Sequence, residues 1–122
     1  LEFKKSPLFF LFIWIFVITF LSLIDLSSIN LKIKTNSWIK LDKIIHFIFY
    51  FTLTALLINY FKNKIKNYII YCFFAAVIFG IIIEILQDIV PTKRSFDYFD
   101  ILANSLGSLT IIMVFLKNIK RN

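Results

Sequence analysis

In this chain of 122 residues, 60% are hydrophobic, and only two are Gly and two Pro. Soluble domains carry about 45–50% apolar residues, so the composition excludes an ordinary water-soluble fold and a loop-rich or β-rich design. The net charge of +7 comes from lysines set between the apolar runs. They read as topology signals and anionic-headgroup contacts, and no nucleic-acid partner is expected because no basic face remains outside the runs.

Strands of a membrane barrel alternate over about ten residues, whereas these runs are continuous and about twenty residues long, the length of a bilayer-crossing helix. The expected fold is an all-α integral membrane protein, a single domain over residues 1–122 with four transmembrane helices in a compact bundle. The first span covers residues 7–24, with Ser6 as its cap and Pro7 at its first position. It lacks a small-residue cleavage pattern and reads as an anchor. Residues 25–40 lead to the second span, and Leu31, Ile33 and Trp38 place this joint against the membrane surface. The second span covers 41–61, followed by a short basic joint over 62–67.

The third span, 68–90, stops at Pro91. It carries the lone Cys72, read as a packed and inert thiol, and Ala76 and Gly80 as a small-residue packing pair. After a short joint, the fourth span covers 97–116. Four crossings put both termini on one side with Lys4, Lys5, Lys62, Lys64, Lys66, Lys117, Lys120 and Arg121. The other side holds Lys32, Lys34, Lys40, Lys43, Lys93 and Arg94. This bias puts the termini in the cytoplasm of a cell-membrane protein and turns the polar ends of spans two to four outward.

Those ends hold the candidate site residues. An ionised group at a helix centre costs roughly 2.5–3.5 kcal/mol on insertion scales, so such groups face a protein interior or a watery cavity. Glu84, Gln87 and Asp88 share i, i+3, i+4 spacing and are expected on one face. Asp42, His46 and Tyr50 form a second stripe beside Lys43. They read either as a helix cap with interfacial residues or as an acid–base relay in which Asp orients His and Tyr supplies a hydroxyl. Asp97 and Asp100 suit a helix start. Asn104, one turn further, serves either packing or ligand contact, with Ala103, Gly107 and Ser108 allowing close helix approach. Arg94 is expected to close an outward cavity around His46, Glu84 and Asp100 by pairing with Glu84 or Asp100.

No HExxH motif, Cys/His cluster, Gly-rich phosphate loop or Ser–His–Asp motif is present. His and carboxylates suit several divalent ions, yet no metal and no cofactor are expected. Two functions compete. One is a binding or envelope-modulating protein that recognises a lipid headgroup, peptide stem or glycopeptide at the outer leaflet. The other is a membrane enzyme acting on a lipid-linked substrate, with His46, Glu84 and Asp100 as catalytic candidates and Arg94 and Lys43 as anion-binding groups. An ion or proton pathway is a third option.

The segment Asp42-Lys43-Ile44-Ile45-His46-Phe47 with Tyr50, then Glu84-Ile85-Leu86-Gln87, then Arg94-Ser95-Phe96-Asp97-Tyr98-Phe99-Asp100 and Asn104-Ser105-Leu106-Gly107, resembles the signature of VanZ-like membrane proteins. The resemblance implies a small multi-helix membrane protein, in a family whose namesake is associated with low-level teicoplanin resistance. It carries motif roles to Asp42, Lys43, His46, Glu84, Gln87, Arg94, Asp97, Asp100 and Asn104. Pro91-Thr92-Lys93-Arg94 stands here where relatives often have Pro-Gly-Arg, so the turn before Arg94 is expected to differ.

Overall fold

Each apolar run forms one helix: α1 (Pro7–Leu23), α2 (Thr35–Phe61), α3 (Tyr68–Ile89) and α4 (Tyr98–Arg121). The structure is a computed structural model that describes residues 6–24, 35–90 and 94–122, and for residues 35–40 the backbone alone. No strand occurs among the described residues. Leu31 and Ile33, expected at the membrane surface, lie outside this description, and so does the side chain of Trp38. So do Lys4, Lys5, Lys32, Lys34 and Lys93, the side chain of Lys40, and the turn over Pro91, Thr92 and Lys93.

Local chemistry sets the helix ends. Ser6 caps α1 by accepting from the Phe9 N–H at 3.4 Å, with Pro7 in the first turn, where its missing N–H costs nothing. Asp97 caps α4 by accepting from the Phe99 N–H at 2.8 Å. Helix α2 starts before the expected span and α4 runs past residue 116, because neither extension contains Pro or Gly. Lys120 and Arg121 also complement the negative end of α4. Asn67 precedes α3 in the left-handed region, φ 59°, a conformation that Asn tolerates better than most residues.

Residues 41–61 of α2, all of α3 and all of α4 are long and apolar enough to cross a membrane, and α1 is a shorter apolar helix of 17 residues. At 1.5 Å per residue α1 reaches about 25 Å, close to the lower limit for a spanning helix. Phe12, Phe16, Ile89 and Met113 are more than 60% exposed. In lipid these side chains need no protein cover.

Cross-helix contacts fix the topology. Lys43 meets Asp97 and Asp100, His46 meets Asn104, and Thr54 meets Ser108, so α2 and α4 run parallel. Gln87, late in α3, reaches Ser22 at the end of α1, so α1 and α3 run the other way. Successive helices therefore alternate in direction. The ends of α1 and α3 join the starts of α2 and α4 at one polar pole. Lys62, Lys64 and Lys66, with Lys117, Lys120 and Arg121, belong to the opposite pole.

Small residues bring the helices close. Gly107 faces the α2 backbone so tightly that a Cβ there would stand 3.1 Å from the Phe47 carbonyl carbon and the Phe51 nitrogen, and closer still to the Phe47 carbonyl oxygen. The expected Ala76 and Gly80 pair is buried in α3, together with Cys72. Leu11, Ile18, Tyr50, Leu53 and Ile112 complete the interior.

Candidate functional site

The polar pole is built from residues 42–46 of α2, the first turns of α4, the last turns of α3 and α1, and the residues before α4. Lys43 projects from α2 between two carboxylates of α4, donating to Asp97 Oδ2 at 2.6 Å and to Asp100 Oδ1. Asp97 is the junction. It caps α4, accepts from Lys43, and donates its own backbone N–H to Glu84 Oε2 at 3.2 Å. Burial pushes the Asp97 carboxyl up, but the Lys43 and Phe99 hydrogen bonds and the nearby Lys43 and His46 charges bring it below the ordinary carboxylate value.

His46 lies one turn below, 2% exposed. Its Nδ1 is 3.1 Å from Asn104 Oδ1; an amide oxygen accepts, so Nδ1 carries the proton in this arrangement. That leaves Nε2 facing Asp42 Oδ1 at 3.8 Å and Asp100 Oδ2 at 3.7 Å. Asp42 is braced in turn by Arg94, whose Nη2 donates to Asp42 Oδ1 at 2.9 Å while Nη1 donates to the Ser22 carbonyl at 3.2 Å.

Glu84, Gln87, Asp100 and Asn104 are all buried, and Glu84 is fully so. Glu84 thus faces protein rather than acyl chains, as expected. Gln87 donates to the Ser22 carbonyl at 2.8 Å. Tyr50 continues the Asp42 and His46 stripe and is buried over Gly80, where an added Cβ would stand 3.2 Å from its ring and 2.9 Å from Asn104 Nδ2. Among the described residues, three fully buried side-chain atoms have no hydrogen-bond partner, and all belong to this group: Tyr50 Oη, Glu84 Oε1 and Asn104 Nδ2.

A cavity of about 170 Å³ opens beside the cluster, with Ser22, Asp42, His46 and Arg94 on its polar wall and Leu21, Ile45 and Phe49 on its apolar wall.

Three expectations are corrected. Arg94 pairs with Asp42 and the Ser22 carbonyl, not with Glu84 or Asp100. The reason is that Lys43 already occupies Asp100, and the Asp97 N–H occupies Glu84 Oε2. The cavity is bounded by α1 and α2 with Arg94, and of His46, Glu84 and Asp100 only His46 lines it. Asp88 is exposed and apart from Glu84 and Gln87. At about 100° per residue it falls roughly 90° from the centre of the stripe formed by Gly80, Ile83, Glu84 and Gln87.

Sequence reasoning missed Ser22, which contributes a backbone carbonyl and so left no side-chain signal. It also missed Thr54, whose Oγ1 donates to Ser108 Oγ at 2.8 Å. The signal for that pair was present, because Ser108 lies one turn beyond Asn104 on the same face.

Chemically, the cluster sets four carboxylates (Asp42, Glu84, Asp97 and Asp100) against two cations, and both cations are paired. Compared with known families, residues 6–120 match the family model described as VanZ/LLP1. No curated protein and no solved structure matches the chain.

Proposed function

The chain belongs to the VanZ/LLP1 family, and we propose that it binds a component of the cell envelope at the outer leaflet through the polar pole of its bundle. The observation that carries this reading is the two-sided cavity beside His46, polar toward Asp42 and Arg94 and apolar toward Leu21, Ile45 and Phe49. Such a lining suits a ligand with a polar head on an apolar stem. Because carboxylates outnumber cations and both cations are paired, the head should offer donors, such as sugar hydroxyls, the amide and amine groups of a peptide stem, or those of a glycopeptide. The cationic pole opposite faces the cytoplasm in this proposal, with both termini and four crossings. Altered teicoplanin susceptibility would follow from occupancy of such an envelope ligand.

The pairing of Lys43 and Arg94 with carboxylates weakens their expected role as anion-binding groups. One observation favours an enzyme as the second reading: His46 Nε2 sits between two carboxylates while Asn104 holds the other ring nitrogen. This is an oriented acid–base group. Mass spectrometry of the purified protein after incubation with envelope lipids separates the two readings. Stoichiometric capture of unchanged lipid, lost in His46→Ala, supports binding. A mass-shifted product, lost in His46→Ala and Glu84→Gln, supports the enzyme, and neither outcome in wild type contradicts both.

A further inference from the structure

Asp42, His46 and Asp100 each present one ligand atom within 4.8 Å of the others. Their arrangement has three features that an accidental cluster lacks. First, the imidazole is oriented from behind: Asn104 Oδ1 faces Nδ1, so Nε2 is turned toward the two carboxylates. A metal cation there would be met by all three groups at once. Metal-bound histidines are commonly fixed in this way through their second nitrogen.

Second, each carboxylate is held by a cation. Lys43 takes Asp100 Oδ1 and leaves Oδ2 toward His46, while Arg94 donates to Asp42 Oδ1, the oxygen that also faces His46, so a bound ion shares that oxygen with the guanidinium. Third, the local balance is negative. Even with Lys43 and Arg94 counted, carboxylates are in excess, and Glu84 Oε1 is fully buried without a partner.

We infer that Asp42, His46 and Asp100 form a binding site for one divalent first-row transition ion, held by one imidazole nitrogen and two carboxylate oxygens. This proposal departs from the sequence reading, which expects no metal. The geometry fits. His46 Nε2 stands 3.7–3.8 Å from each carboxylate oxygen, a separation that subtends about 125° at metal–ligand distances of about 2.1 Å, and all three ligand atoms lie within 4.8 Å of one another. Tetrahedral spacing needs closure by a few tenths of an ångström along the two histidine pairs, with the two carboxylate oxygens drawn together around the ion. Three protein ligands leave a coordination position open, and the cavity lined by Asp42 and His46 lies beside it. The nitrogen ligand favours Zn²⁺ over Mn²⁺, and both over Mg²⁺. The site lies within the proposed envelope-ligand pole, so this inference deepens that reading; the ion would present its open position to the donor-rich head.

The test uses full-length protein in detergent, stripped with chelator and titrated with ZnCl₂, MnCl₂ and MgCl₂ by calorimetry. One Zn²⁺ per chain is expected, bound at least tenfold more tightly than Mg²⁺. Asp42→Asn, His46→Gln and Asp100→Asn should each weaken Zn²⁺ binding at least tenfold. Asn104→Ala, which keeps all three ligands, should weaken it by about tenfold or more, as loss of an orienting partner does. Asp88→Asn, at an exposed carboxylate, should bind as wild type. Circular dichroism and gel filtration admit only folded variants, and Asn104→Ala decides the matter if a ligand variant fails to fold. Absence of saturable Zn²⁺ binding in wild type, or binding unchanged in the folded variants, overturns the site. Lipid capture is measured in parallel on metal-free protein. Capture without Zn²⁺ binding sinks the ion site alone, and Zn²⁺ binding without capture in either metal state sinks the envelope-ligand reading alone.

Discussion

Asp42 and Arg94 are each 20% exposed at the side chain, and their 2.9 Å contact closes the polar pole against α1. Removing one partner of a hydrogen-bonded charge pair strands the other, which costs about 1–3 kcal/mol for a partly buried group. Arg94→Ala should therefore destabilise by that amount in reversible unfolding from mixed micelles. Double-mutant cycles should show coupling between Arg94 and Asp42 and additivity within about 0.5 kcal/mol between Arg94 and Glu84. Coupling to Glu84 alone would contradict the assigned contact. Asp97 gives a pH test. Its carboxyl is held below the ordinary value, so its contribution is present above the ordinary carboxylate pKa and is lost as pH falls through the lowered folded value. Melting temperatures of wild type and Asp97→Asn should differ at neutral pH and converge in acid. A gap constant across that window would contradict the Lys43–Asp97 tie. At this scale the sequence disclosed which residues gather but not who pairs with whom. Arg94 is the nearest arginine to Glu84 in sequence, across the turn after Pro91, while the competition of Lys43 and the Asp97 N–H for the carboxylates is a three-dimensional fact.

Helix packing depends on glycine at two contacts of different kinds, Gly107 of α4 against α2 and Gly80 of α3 against side chains of α2 and α4. At Gly107 an added Cβ meets α2 backbone, which cannot rotate away, so Gly107→Ala should cost about 1–3 kcal/mol as overpacking. At Gly80 the added Cβ meets side-chain atoms of Asn104 and Tyr50, which can turn. Gly80→Ala should thus perturb the polar pole more than the bundle, weakening ligand or Zn²⁺ binding with a smaller loss of stability. Equal losses of stability in the two variants would contradict this division. The elements themselves were legible because apolar runs of about twenty residues have few alternatives. Gly107 was legible as a small residue able to admit another helix, but the partner backbone at Phe47 and Phe51 was not. Asp88 was misplaced because i, i+4 spacing from Glu84 fixes proximity on the helix, not which side of the stripe faces protein.

Among the described residues the molecule is polarised, with basic residues at 62–66 and 117–121 at one pole and the ion-paired, carboxylate-rich cluster at the other. Composition and charge made that polarity readable. The contribution of α1 was not readable, because it enters through the Ser22 carbonyl. If both termini are cytoplasmic, then in a Cys72→Ala background a membrane-impermeant thiol reagent applied to intact cells should label Ser95→Cys and not Lys64→Cys. The reverse would place the polar pole in the cytoplasm. The central claim, that the cavity beside His46 receives an envelope component, is met most directly by photocrosslinking in living cells. A photoreactive residue replaces Leu21 on the apolar wall of the cavity, with the same replacement of lipid-facing Met113 as control. The account predicts a discrete envelope-derived adduct at position 21 that is absent at position 113 and lost when His46→Ala is added. Equal, nonspecific lipid labelling at both positions, unaffected by His46→Ala, would contradict it.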